Sequence, residues 1–182
     1  KGHPLSVTLD ILKEITTQGY DSQAGAGADF SLSITGSAGR LIASIFGIKP
    51  FNEIIAQAYS SRRLCPRIKT IIEMGGEDSK LILLGEDGSS VKDFSMNSVC
   101  AAGTGSFLDQ QAERLRISIE EFSELALTSQ KPPRIAGRCS VFAKSDMIHL
   151  QQIATRVEDI IAGLCFAVAR NFKGSIARGR TI

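Results

Sequence analysis

Three short apolar segments separated by two glycine-containing turns, within residues 70–94, most constrain what this chain can fold into. The segments are TIIEM, SKLILL and SVKDF, and the connections are GGED and GEDG. Short apolar or alternating runs joined by such turns are typical of β-hairpins. The pattern therefore predicts three antiparallel strands that follow one another along the chain.

Helical patterns flank this meander on both sides. Apolar residues at helical spacing predict a helix over 5–18, SLSITG predicts a strand over 31–36, and Gly47 and Pro50 are expected to end a second helix. The predicted helices are 5–18, 38–46, one from Phe51 that stops before Pro66, 102–116, 118–128, 145–152 and 155–171. Near residues 62–68 the predicted secondary structure changes from helices to strands, so we expect two parts, residues 1–66 and 67–182.

Composition narrows the classes of function. The 182 residues carry a net charge of +2, with 43% hydrophobic and 22% charged residues. This balance is typical of a globular chain and gives no basic stripe for nucleic acid. No apolar run of 18 residues predicts a membrane span, and KGHPLSV does not resemble a signal peptide. We therefore expect a cytoplasmic protein with neither a nucleic-acid nor a membrane partner.

The first turn, Gly75 to Asp78, carries candidate chemistry. Two glycines allow a backbone to approach a ligand closely, and their amides can bind phosphate oxygens. Glu73, Glu77 and Asp78 could hold a hydrated Mg²⁺ or position an attacking water. The same residues could also form a simple hairpin turn with solvated acids, and from this stretch alone both interpretations remain.

Two of the four cysteines stand ahead of predicted helices. Cys100 precedes the glycine-rich helix start AAGTGSF, and Cys139 precedes a helix expected to begin near Ser145. Helix N-termini favour both anions and thiolates. Cys165 fits the apolar stripe of the last helix and Cys65 has no evident partner. No C-x-x-C pair indicates a disulfide framework or a zinc ribbon.

Two thiolates per chain are too few for a four-thiolate iron–sulfur cluster. A twofold homodimer would contribute the missing pair by symmetry. From the residues alone this remains one hypothesis beside that of inert, buried cysteines.

Five stretches in order resemble the BadF/BadG/BcrA/BcrD ATPase family, the activators of 2-hydroxyacyl-CoA dehydratases and the ATPase subunits of benzoyl-CoA reductase. They are ITGSAGR (34–40), NEIIAQA (52–58), EMGGEDSK (73–80), DFSMNSVCAAGTGSFLDQQAERL (93–115) and CSVFAKSDMIHL (139–150). The resemblance implies an α/β, actin-like (ribonuclease H-like) ATPase fold, here the end of a first lobe, 1–66, and the start of a second, 67–182. It also implies an ATP-hydrolysing enzyme that passes a low-potential electron to a dehydratase or reductase partner.

Residue by residue, the resemblance implies three sets of site residues and their cofactors. Cys100 and Cys139 match the cysteines that each subunit of a homodimer gives to one [4Fe–4S] cluster. ATP with Mg²⁺ would bind at the glycine-rich segments, and a ferredoxin or flavodoxin type of donor would deliver the electron. The implied catalytic residues are Glu73, Glu77 and Asp78, and the implied nucleotide-binding residues are Gly75, Gly76, Ser79, Lys80, Gly103, Thr104 and Gly105.

The chain departs from the family pattern in two respects. Glu73 and Glu77 stand where the family has Asp and Gln. The family's first phosphate hairpin and its adenosine motif are expected before residue 1 and after residue 182, so the chain resembles the middle of a longer protein and is expected to be inactive alone. A phosphotransferase of the same fold and a non-catalytic module remain the alternatives.

Overall fold

The computed structural model describes residues 3–18, 31–86, 90–97, 103–137 and 139–182. The chain divides into two compact units, residues 1–64 and 65–182, and each is described by itself below.

The first unit is helical. Asn52 caps its third helix, because the side-chain Oδ1 accepts the amides of Ile54 at 2.9 Å and Ile55 at 3.3 Å. Gly47 ends the second helix with φ 65°, a left-handed conformation that glycine adopts without steric cost. The helices are α1 (Pro4–Gln18), α2 (Gly39–Phe46) and α3 (Glu53–Leu64).

The strand expected over 31–36 is not formed. Residues 31–35 have no regular secondary structure. The carbonyl of Ile34 accepts the amide of Phe51 at 2.7 Å, and the hydroxyl of Thr35 donates to the carbonyl of Phe51 at 3.2 Å. This segment therefore bonds to the residues that lead into α3, and no sheet ladder forms along it.

The second unit begins with the predicted meander. Three antiparallel strands form one sheet in the order β1-β2-β3, with β1 at Thr70–Met74, β2 at Ser79–Leu84 and β3 at Val91–Asn97. The central strand β2 is the most buried, because it has a neighbour on each side. Glu73 and Lys80 are cross-strand partners, as are Met74 and Ser79. The first turn is therefore the four residues Gly75 to Asp78.

Helices follow the sheet in the second unit. They are α4 (Gly105–Leu115), α5 (Ile119–Leu127), α6 (Ser140–Gln152) and α7 (Val157–Asn171), and α7 continues as a π-helical segment over Phe172–Ala177. The expected start of α6 near Ser145 is wrong by about one turn, because the helix begins at Ser140 with Cys139 as its N-cap. Val141 and Phe142, in its first turn, point to solvent (65% and 64% exposed), which weakens the apolar periodicity there.

Among the described residues of the second unit, apolar side chains form two cores. Side chains of α4 to α7 and of the segment before α6 form the larger one, including Phe107, Phe122 and Leu164. Leu81 of β2 packs with Phe172 and Ile176 of the π-helical segment in the smaller one. The helix over α7 and this segment thus contributes to both cores.

The combined helix Val157–Ala177 is long and apolar enough, by length and composition, to cross a membrane. Its most apolar stretch is 61% buried inside the structure. A helix buried on most sides within a fold has the same composition as a membrane span, and α7 lies in the larger core.

Candidate functional site

The start of α4 lies directly on the first glycine turn. The amide of Gly105 donates to the carbonyl of Gly75 at 2.8 Å, and that of Ser106 donates to the carbonyl of Gly76 at 3.1 Å. The Ser106 hydroxyl also donates to the Gly76 carbonyl. Two amides at the start of α4, one of them that of Gly105, which was expected to bind nucleotide, are thus bonded to the turn, which fixes the turn and α4 to each other.

Small residues make this close contact feasible. A Cβ on Gly105 would lie 3.3 Å from the carbonyl oxygen of Gly75, closer than most side chains tolerate. Ser79, fully buried at the start of β2, donates its hydroxyl to the carbonyl of Gly103 at 2.6 Å. The turn, β2 and residues 103–106 therefore form one hydrogen-bonded junction.

The outer side of the turn is open. Gly76 and Glu77 are exposed, and no hydrogen bond within the described residues uses their amides as donors. A Cβ on Gly76 would meet only the Ser106 hydroxyl, at 3.8 Å. Consecutive unpaired amides in a turn form a concave site for an anion. This part of the junction fits a phosphate group that approaches from solvent.

Lys80 lies beneath the turn and pairs with two acids. Its side chain is almost fully buried, with Nζ at 2.7 Å from Glu73 Oε2 and 2.9 Å from Asp78 Oδ1. The two carboxylates are 30% and 21% exposed. Lys80 thus supports the turn from inside the fold, and Glu73, Glu77 and Asp78 are the acids near a phosphate bound there.

Cys139 lies elsewhere in the second unit, on the wall of an open cleft of about 1000 Å³. It is half-buried, and as the N-cap of α6 it lies at the positive end of that helix. Arg134, Arg170 and Lys173 also line the cleft, together with Asp146.

The segment that leads to Cys139 is held on two sides. The amide of Ala136 donates to Asp146 Oδ2 of α6 at 2.8 Å, and Arg170 of α7 donates to the carbonyl of Ile135 at 2.8 Å. Gly137 touches α7 so closely that an added Cβ would lie 2.6 Å from the carbonyl oxygen of Ala167. Cys139 therefore follows a segment fixed to the core.

The other cysteines differ in their surroundings. Cys100 lies outside the described residues, so its predicted role as a ligand stays a prediction. Cys65 is exposed, and burial raises the pKa of the Cys165 thiol, which packs against the larger core. Within the described ranges, no three His, Cys, Asp or Glu side chains come together in a group that could hold a metal ion.

The structure brings together most of the residues expected to bind nucleotide. Gly75, Gly76, Ser79, Gly103 and Gly105 share the junction, and their roles toward a nucleotide stay predictions. Sequence reasoning missed Ser106, although it belongs to the same GTGSF stretch. It also missed Asn171, which approaches both Gly103 and Gly137 and which no sequence pattern indicates.

Known proteins resemble this chain in sequence and in fold. The sequence profile of the BadF/BadG/BcrA/BcrD ATPase family matches residues 7–181. The chain is 36% identical over 131 residues to the 2-hydroxyisocaproyl-CoA dehydratase activator of Clostridioides difficile, covering 71% of this chain and 48% of the relative. The chain thus spans about half the length of the curated relatives it matches.

Two solved structures share its fold. One is component A of the (R)-2-hydroxyglutaryl-CoA dehydratase of Acidaminococcus fermentans, with TM-score 0.73 and 33% identity over 81% of this chain and 56% of that one. The other is the activator of the 2-hydroxyisocaproyl-CoA dehydratase from Clostridium difficile with bound ADPNP, with TM-score 0.78 and 27% identity over 96% of this chain and 62% of that one. The predicted actin-like α/β fold is confirmed. The chain belongs to the BadF/BadG/BcrA/BcrD ATPase family.

Proposed function

We propose that the full-length protein is an ATP-dependent activator of a 2-hydroxyacyl-CoA dehydratase or a related benzoyl-CoA reductase. The observation that carries this proposal is the junction of the glycine turn with α4. Its outer amides fit a phosphate, and its carbonyls hold the helix that follows Cys100. Relatives named as dehydratase activators, one with bound ADPNP, support the partner and the nucleotide.

The nucleotide would use the open side of the turn. The amides of Gly76 and Glu77 would bind phosphate oxygens, and Lys80 offsets part of the negative charge of Glu73 and Asp78. Mg²⁺ would be held through its waters by the acids beside the turn and by the phosphates themselves. The buried ammonium of Lys80 pairs with Glu73 and Asp78 and so orders the turn. A direct contact between Lys80 and the nucleotide stays a prediction.

A [4Fe–4S] cluster is part of the proposal. Cys139 is half-buried, lies at the N-terminus of α6 and lines an open cleft, so its sulfur is accessible as a metal ligand. Cys139 and Cys100 of each subunit in a cytoplasmic homodimer would hold the cluster. When bound, the cluster would supply one-electron transfer at low potential, with a ferredoxin or flavodoxin type of protein as the donor.

Two variants of the full-length protein test the two halves of this function. Gly76→Val places bulk where the backbone must approach a phosphate, so we expect ATP hydrolysis to fall more than tenfold with an unchanged cluster spectrum. Cys139→Ser removes two of four thiolates from the dimer, so we expect the absorption and EPR signals of anaerobically reconstituted cluster to disappear. Cys65→Ser, at an exposed position, is the control and keeps both.

The results separate this function from its alternatives. ATP hydrolysis without any cluster signal in the wild-type dimer would favour a phosphotransferase of the same fold. Neither nucleotide binding nor a cluster would favour a non-catalytic module. A Gly76→Val protein with normal ATPase activity would remove the first turn from the nucleotide site.

A further inference from the structure

We propose that Asn171 is a positioning residue that couples the nucleotide junction to the segment carrying Cys139. This inference rests on the proposed function, because it assigns a consequence of nucleotide binding to a residue that touches neither the nucleotide nor a metal. It concerns the last residue of α7, where the helix changes to π-helical spacing.

The side chain of Asn171 bridges two segments that are far apart in sequence. Its Nδ2 donates to the carbonyl of Gly137, two residues before Cys139. On its other side, a Cβ built on Gly103 would lie 2.9 Å from Asn171 Oδ1. The amide therefore fills the space between the segment after Cys100 and the segment before Cys139.

The bridge continues to the glycine turn. The carbonyl of Gly103 accepts the Ser79 hydroxyl, and Gly105, two residues on, donates to Gly75. A displacement of the turn by a bound phosphate therefore reaches Gly103 through hydrogen bonds. Asn171 packs against Gly103 and is only 5% exposed, so a displacement of Gly103 would next move the side chain of Asn171. Packed side chains and hydrogen-bond networks of this kind can carry energetic coupling between two sites.

The hydrogen bonding of Asn171 is incomplete. Its Oδ1 is buried and accepts no hydrogen bond in the part of the chain that the structure describes. An unsatisfied buried polar atom is costly and rare in folded proteins, and it calls for a specific explanation. If the Gly103 segment had a second arrangement that placed a hydrogen-bond donor against Asn171 Oδ1, the new hydrogen bond would stabilise that arrangement.

Thiol reactivity in the full-length protein tests this inference without relying on activity. Metal is removed anaerobically with a chelator, and the protein is saturated with ADP or with ADPNP. The alkylation rate of Cys139 by iodoacetamide is then followed by mass spectrometry of the peptide that contains it. Allosteric coupling typically changes a binding affinity about 5- to 150-fold. Taking the lower end of that range for the accessibility of the thiol, we expect the wild-type rates in the two nucleotides to differ by at least about fivefold.

Asn171→Ala and Asn171→Leu should bring the ratio of the two rates close to one. The leucine variant keeps the volume of the side chain and carries the test if the alanine variant does not fold. Gln111→Ala is the matched control, because Gln111 is a fully buried amide of the same unit that donates to the carbonyl of Phe107 in its own helix. It should keep the wild-type ratio.

The outcomes separate this inference from the proposed function. Failure of the wild-type protein to bind either nucleotide would refute the proposed function and the inference with it. Nucleotide binding with equal alkylation rates in the wild type would refute the inference alone. Asn171 variants that keep the wild-type ratio, or a Gln111→Ala protein that loses it equally, would also overturn the inference and leave Asn171 with a structural role only.

Discussion

Replacing Lys80, whose ammonium lies beneath the glycine turn, should lower the stability of the sheet. Neutralising its two carboxylate partners, Glu73 and Asp78, as well should restore part of that stability. Lys80 is 1% exposed and its Nζ contacts Glu73 and Asp78 at 2.7 and 2.9 Å. In Lys80→Met the two carboxylates remain near each other without this counterion. Like charges then repel in a partly desolvated site, so the free energy of unfolding falls.

The exposure of the carboxylates sets the size of the effect. Breaking a fully buried ion pair costs about 3–5 kcal/mol, whereas exposed pairs contribute about 0–1 kcal/mol. Glu73 and Asp78 retain 30% and 21% of their side-chain exposure, so water screens part of the repulsion. We expect Lys80→Met to cost about 2–3 kcal/mol, between those limits. The triple variant Lys80→Met/Glu73→Gln/Asp78→Asn should regain at least about 1 kcal/mol, since amides do not repel as charges do.

Native-state hydrogen exchange in the full-length protein measures this effect where it occurs. Peptides that cover β1 and β2 report the free energy of opening of the unit that contains the turn. Arg180→Met is the matched control, because Arg180 and Asp93 form a more exposed pair at 2.7 Å, and its loss should be much smaller. A triple variant as unstable as Lys80→Met, or less stable, would refute the charge argument and leave packing of the lysine stem as the cause.

Two further predictions concern α7. Gly163→Ala would place a Cβ 2.7 Å from the carbonyl oxygen of Pro133. We expect thermal unfolding to show a net loss of stability of about 1–2 kcal/mol, because an overpacking cost of about 1–3 kcal/mol exceeds the gain in helix propensity. The control Gly174→Ala, at a position with open space around it, should be neutral or stabilising. Hydrogen bonds, foremost from Ser129, hold the pKa of Asp159 below its ordinary 3.8; its contribution to stability is therefore present above that pH and lost as pH falls through the folded-state pKa. Unfolding of wild-type and Asp159→Asn proteins across pH 2–6 checks this, and a difference that did not shrink toward pH 2 would contradict it.

The regular elements of this fold could be predicted because their signals are local. The meander was predictable from alternation and turn residues, and the structure confirms its three strands. The strand expected at 31–36 failed because a strand needs a neighbour, which residue periodicity does not reveal. The start of α6 was placed too late, since Val141 and Phe142 are apolar yet exposed. Pattern reasoning assumes that apolar residues point inward, and here they do not.

The candidate site was predictable only in part. Glycine-rich stretches indicated the turn and the start of α4, but the mutual bonding of Gly75 and Gly105 depends on a contact between segments about 30 residues apart. The burial of Lys80 was likewise not evident from EDSK, because its depth follows from its place in the central strand. The part played by Asn171 arises only where three segments meet.

The helix that ends the described chain joins two bodies of apolar packing that would otherwise be separate. Over α7 its side chains face those of the other helices, and over the π-helical segment they face the sheet through Leu81. The extra residue in each π turn rotates the later side chains toward this second surface. Sheet and helices should therefore lose their protection from exchange together, as a single cooperative unit. The change of surface begins after Asn171, which lies between the last α7 residue of the larger core, Val168, and the first helix residue of the smaller one, Phe172.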